Sequence, residues 1–190
     1  MRNSYIANSH EAAALHSGKQ TAVVVKMKWQ PTFSEDGYVY CGNFLERYKN
    51  DIVHEDWTVQ FTKDFAPYKL GQEVYVREAC YSCTDGKETK FVYPDSRDEI
   101  AIIELAAYLN EDNYAPIVFG SPATMPQSAA RTRFKVVDVE AVRVMDMAYR
   151  DAIKLPIRHV AEYAQYAINK FGQQAWDENH FIWYFKIEKI

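Results

Sequence analysis

Gly71-Gln-Glu-Val-Tyr-Val-Arg-Glu-Ala-Cys-Tyr81 reads as a short strand entered through a glycine turn. By the two-residue strand period, Val74, Val76, Glu78 and Cys80 fall on one face and Tyr75, Arg77 and Ala79 on the other. Glu78 therefore shares a face with two valines and a cysteine. A carboxylate in that setting finds a partner, raises its pKa or reaches a ligand. The plainer alternative is that the strand ends early and Glu78 stands at its rim in water.

The next clear strand lies upstream, in Thr-Ala-Val-Val-Val-Lys-Met-Lys-Trp at 21–29. Thr21, Val23, Val25, Met27 and Trp29 share one face; Lys26 and Lys28 mark the other as solvent-facing in its later half. Pro31 is expected to end it. Residues 8–17 read as a helix, with Asn8 as N-cap, Glu11 placed to reach back, an alanine-rich body and Gly18 as C-cap. Residues 38–41 and 57–61 are further strand candidates.

Downstream, Asp85-Gly86 signals a hairpin whose returning strand is 91–93. Residues 97–109 carry a helical pattern. Residues 131–147 form a long strand-like run whose alternation slips twice, which points to β-bulges that bend strands around small barrels. Pro156 precedes a helix over 158–171, with Val160, Tyr163, Ala164, Ala167, Ile168 and Phe171 on its apolar face and Gly172 closing it. In the last strand, 181–190, Phe181, Trp183, Phe185 and Ile187 are expected to point inward and Tyr184, Lys186 and Glu188 outward.

With 190 residues and a hydrophobic share of 48%, the chain suits one domain with a real core. Its net charge of -4 argues against broad binding to duplex nucleic acid, so any such contact is local. The three cysteines, Cys41, Cys80 and Cys83, are odd in number, and no signal peptide is visible, which fits a reducing, cytoplasmic setting. Cys80 and Cys83 lack the further ligands that a zinc site needs, so no metal and no cofactor is expected. No apolar run approaches membrane-spanning length. No phosphate loop, nucleophile elbow or HExxH motif is present, and the five histidines are scattered. Many short strands with a few helices predict an α+β chain centred on a mixed β-barrel.

Four separated pieces resemble one family, in order. Leu15-His-Ser-Gly-Lys-Gln-Thr-Ala-Val-Val-Val-Lys-Met-Lys-Trp-Gln-Pro31 resembles the Gly-Arg-Lys-Thr-x-Thr-Arg-Arg signature of ASCH-domain proteins and its Lys-Pro-Gln-Pro tail. Tyr68-Lys-Leu-Gly-Gln-Glu-Val-Tyr-Val-Arg-Glu78 resembles the Val-Arg-Glu strand of that family. Ser121-Pro-Ala-Thr-Met-Pro-Gln-Ser-Ala-Ala-Arg131 resembles an element common in phage and prophage members, and Trp176 to Ile187 resembles their C-terminal ending. Residues 32–66 and 84–118 match nothing in the pattern and read as insertions.

The resemblance implies a PUA-like barrel with flanking helices and a cleft near the first helix end. It implies a nucleotide, a modified nucleobase, a nucleoside or RNA as ligand, in a bacterial or phage-infected cell. One branch of the family hydrolyses an acylated cytidine with a lysine, a threonine and a glutamate. Here Gln20 occupies the lysine position, Val23 the threonine position, and Val24 and Val25 the paired arginines. Glutamine neither takes nor gives a proton in that role and valine has no hydroxyl, so a binding module is expected rather than an enzyme. Its ligand contacts would be Lys19, Gln20, Thr21, Glu78, Tyr81 and Arg131, with Tyr81 available for stacking. With the lysine gone, Glu78 is expected to lack a cation, and Glu78→Gln to cost little stability. Two further readings are an amidohydrolase in which Lys19 and Glu78 act, and a phage protein that binds a host defence component.

Overall fold

The computed structural model describes residues 3–33, 38–41, 44–49, 61–62, 64–84, 89–93, 118–147 and 151–190. The strands are β1 (Ser4–Ile6), β2 (Ala22–Lys26), β3 (Pro31–Phe33), β4 (Tyr38–Cys41), β5 (Phe44–Lys49), β6 (Glu73–Arg77), β7 (Cys80–Thr84), β8 (Thr89–Val92), β9 (Val118–Gly120), β10 (Arg133–Arg143) and β11 (Phe181–Lys189). Among the described residues the α-helices are α1 (Ser9–His16), α2 (Tyr163–Phe171) and α3 (Gln173–Asp177). The class is mixed α+β. The helix expected at 97–109, residues 57–60 of the strand expected at 57–61 and the Asp85-Gly86 turn lie outside the described residues, as does the side chain of Cys83; Phe61, the last residue of that expected strand, is helical instead.

The chain divides into two compact units, one of Gln20–Gln72 with Lys135–Glu188, the other of Arg2–Lys19 with Glu73–Phe134 and Lys189–Ile190.

In the first unit, β10, β11 and β2 lie side by side in that order, with β2 antiparallel to β11 and Tyr184 opposite Val24. Both faces of β11 are covered. Ile182 and Tyr184 join Ala22 and Val24 against Tyr163, Ala167 and Phe171 of α2 and Ala175 of α3. The other face carries aromatic rings: Trp183 stacks on Phe61 at 5.4 Å, and Tyr68 meets Phe185 edge-on at 5.2 Å. Tyr184 is thus fully buried, which corrects the expectation that it faces outward. A strand covered on both faces loses the in-out alternation that a half-exposed strand shows. Tyr163 anchors α2 by donating its hydroxyl to Val144 O at 2.8 Å.

The start of α2 also differs from expectation. Val160–Glu162 forms a 3-10 turn and the α-helix begins at Tyr163. Gly172, at φ +97°, ends α2 and leads directly into α3, which the sequence pattern did not separate from its surroundings. Pro31 opens β3 instead of closing β2. Proline has no N–H for a ladder bond, so the first position of a strand suits it. β3, β4 and β5 form a three-stranded antiparallel sheet in this unit.

In the second unit, β1 runs parallel to β6, with Tyr5 opposite Val76, and Val76 N donates to Thr132 O at 2.9 Å. α1 follows β1 directly. Asn8 caps it, its side chain accepting from Glu11 N at 2.9 Å. Its far end closes in a Schellman motif: Gly18 at φ +72° donates to Leu15 O and Lys19 N to Ala14 O. Glu11 is buried and accepts from the Tyr5 hydroxyl at 3.2 Å; Tyr5 in turn meets Phe134 edge-on. A second three-stranded sheet, in the order β8-β7-β9, completes the unit. β7 pairs with β8 antiparallel, Thr84 opposite Thr89, so the returning strand is Thr89–Val92 where the sequence placed it at 91–93.

Candidate functional site

The alternation of the 71–81 stretch survives a break in its secondary structure. β6 ends at Arg77 and β7 begins at Cys80 in a different sheet. Val74, Val76, Glu78 and Cys80 are nonetheless all buried, while Tyr75, Arg77 and Ala79 are half-exposed. Glu78 sits in the link between the two strands. Its backbone N–H is aimed at the sulfur of Met125, 3.2 Å away.

Its side chain has found a cation. Arg131 Nε donates to Glu78 Oε1 at 3.1 Å and Arg131 Nη2 to Oε2 at 3.0 Å, a two-pronged pair in which each carboxylate oxygen is engaged. The Glu78 side chain is 3% exposed and that of Arg131 18%. The guanidinium also lies over the ring of Tyr93, 4.2 Å from its centre. This overturns the expectation of a carboxylate without a cation: Arg131 supplies the positive charge.

Tyr93, Met125, Cys80 and Ala129 form a small buried cluster beneath the pair. The Tyr93 hydroxyl donates to Ala129 O, which fixes the ring plane under the guanidinium. Burial, with the neighbouring Cys80 and Glu78, pushes the Tyr93 pKa up to about 12 against the opposing pull of Arg131. Burial, then the charge of Glu78, raises the Cys80 thiol. Both groups stay protonated near neutral pH, so the corner holds one carboxylate, one guanidinium and a neutral phenol. In this corner the guanidinium is held between a buried carboxylate and a buried ring.

The other expected site residues fall as follows. Tyr81 is half-exposed and packs against Phe119, centres 5.3 Å apart. Lys19 is exposed just past the Schellman turn. Lys19, Glu78, Tyr81 and Arg131 belong to the second unit; Gln20 and Thr21 belong to the first. Gln20 is buried, its Nε2 donating to Ala22 O at 2.7 Å. Thr21 is exposed, its backbone bonded to Lys154 O and to Ile187 N. Tyr93 and Met125 were not anticipated. The hairpin signal could have found Tyr93, because pairing Tyr81 with Val92 carries Tyr93 opposite Cys80.

Among the described residues no helix is long and apolar enough to cross a membrane. No family model, no curated protein and no solved structure matches this chain.

Proposed function

We propose that this protein is a non-catalytic binding module for a nucleobase, in a nucleotide, a nucleoside or a single-stranded RNA. We assign it to the cytoplasm and to the phage-type ASCH group, with a PUA-like barrel as its fold. The observation that carries the reading is the Glu78–Arg131 pair seated on Tyr93. Two of the residues that the sequence resemblance marks as ligand contacts come together there, although 53 positions separate them.

The chemistry favours binding over turnover. With both oxygens held by Arg131, the Glu78 carboxylate is not poised to take a proton from water or substrate. Its role is to fix the guanidinium, a group suited to base edges and phosphates. Tyr81 and Phe119 add aromatic surface in the same unit, and stacking on such rings contributes about 1–3 kcal/mol per base. The phage-type resemblance also allows a host protein as partner, which a pull-down would reveal.

The test is equilibrium binding of a labelled single-stranded RNA, competed with nucleosides that include N4-acetylcytidine. Tyr81→Ala should weaken binding about tenfold without lowering the melting temperature by more than a few degrees. Hydrolysis of N4-acetylcytidine by the wild type, abolished in Glu78→Gln, would replace this reading with the enzymatic one.

A further inference from the structure

In the second unit, Tyr75 and Arg77 of β6 point away from the buried side that Val74, Val76 and Glu78 share. On one flank, Arg77 lies opposite Ile6 of β1, which is exposed. On the other, Val76 N donates to Thr132 O and Val136 N donates to Gln72 O, both at 2.9 Å. Those two bonds follow an antiparallel register that sets Tyr75 opposite Arg133. The burial agrees: Thr132 and Phe134 are buried with Val76, and Arg133 between them is exposed. Tyr75, Arg77 and Arg133 therefore share one outward face.

Arg77 is the informative residue. Its Nε is buried and meets no acceptor. Its Nη1 and Nη2 atoms, equally unbonded among the described residues, reach solvent. The carboxylate next to it in sequence, Glu78, is turned to the buried side and held by Arg131. Arg133 likewise has no ion pair among the described residues. A guanidinium drawn partly out of water without a countercharge favours an anion, and buried N–H groups are seldom left unpaired. With the Nε edge sealed, the two Nη groups would meet that anion end-on. The two arginines outnumber the one acid on this face of β6, the exposed Glu73, in a chain whose net charge is -4.

We propose that this face binds the phosphates of single-stranded RNA through Arg77 and Arg133, with the half-exposed Tyr75 between them available to a base. The inference rests on the nucleobase reading and narrows it, because its ligand is a strand with phosphates and not a lone nucleoside. Arg77 directly precedes Glu78, and Arg133 follows Arg131 by two positions, so both segments lead from this face to the Glu78–Arg131 corner. Guanidinium groups suit phosphate oxygens, and such contacts position a strand without reading its sequence.

Fluorescence anisotropy of a labelled single-stranded RNA over a salt series tests the proposal with wild type, Arg77→Gln and Arg133→Gln. Each change removes one phosphate contact and should make the slope of log K against log salt shallower by about 0.7. Affinity for a nucleoside, measured by titration calorimetry, should be the same in all three proteins. Arg133→Gln, at an exposed position, decides the matter if Arg77→Gln fails to fold. Slopes unchanged in the folded variants, or nucleoside affinity lost along with RNA affinity, would overturn this surface and leave the nucleobase reading standing. Nucleoside binding without RNA binding would do the same. Displacement of the RNA by polyglutamate at equal charge would overturn it in favour of an acidic peptide. Binding of neither RNA nor nucleoside would remove both readings.

Discussion

Arg131 meets Glu78 edge to edge, with contacts of 3.1 and 3.0 Å, and the face of its guanidinium rests on Tyr93. Because Glu78 is almost wholly buried, the pair cannot be dismissed as a surface ion pair of little energetic weight. Removing one partner strands the other charge, whereas replacing both with apolar groups of similar volume removes the desolvation cost as well.

Glu78→Ala is therefore expected to destabilise the fold by about 3 kcal/mol. Glu78→Gln keeps the shape and one acceptor and should cost about 1–2 kcal/mol, more than the sequence alone implied. The double change Glu78→Leu with Arg131→Met should cost clearly less than the sum of the single changes. Urea unfolding of the wild type, Glu78→Leu, Arg131→Met and the double variant measures this; strict additivity would contradict a direct pair.

The two tyrosines of the helix-covered face should behave differently. Tyr163→Phe deletes a buried bond to Val144 O and should cost about 1 kcal/mol. Tyr184→Phe deletes a hydroxyl whose contact with Asp151 falls short of ordinary hydrogen-bond geometry and should cost less than Tyr163→Phe. Equal losses in thermal unfolding would show that Tyr184 is as well bonded as Tyr163.

What the sequence made legible was local. The caps of α1 needed only Asn8 and Gly18, and a strand returning beside β7 was readable, although it begins at Thr89, two residues earlier than its pattern indicates. The burial of Glu78 fits a two-residue period that held even where the strand stopped, one of the two outcomes that the sequence left open. Hidden were facts that depend on distant segments. Tyr184 reads as outward-facing because Lys186 and Glu188 share its phase, yet α2 covers that face at Tyr184 and no longer at Glu188. The cation for Glu78 comes from 53 residues away, and no local pattern announces it.

The Lys186 network sets a pH dependence. A hydrogen bond from Lys186 lowers the Asp138 pKa, so its contribution to stability is present above the unfolded carboxylate value, about 3.9, and is lost as pH falls through the lower folded value. Hydrogen bonds to Asp138 and Glu140 raise the Lys186 pKa, so its contribution is present below about 10.4 and is lost as pH rises through the higher folded value. Lys186→Met should flatten both limbs of a stability-against-pH curve. A curve of unchanged shape would contradict the pairing.

β11 is the strand on which the first unit depends. Trp183, Tyr184 and Phe185 are all buried, each ring contributing about 2–3 kcal/mol. A chain ending at Asn179 should show no cooperative thermal transition by circular dichroism. A sharp transition near the wild-type temperature would show that the core forms without β11.

The most direct test of the functional reading is the affinity of a labelled single-stranded RNA for wild-type protein and for Arg131→Lys. Lysine keeps the charge but loses the planar fork that Glu78 and Tyr93 orient. Wild type should bind with nucleoside-competable affinity, and Arg131→Lys, confirmed folded, should bind at least about tenfold more weakly. No binding of RNA or any competing nucleoside by the wild type, or equal affinity in the folded variant, would contradict the assignment of the Glu78–Arg131 corner as a nucleobase site.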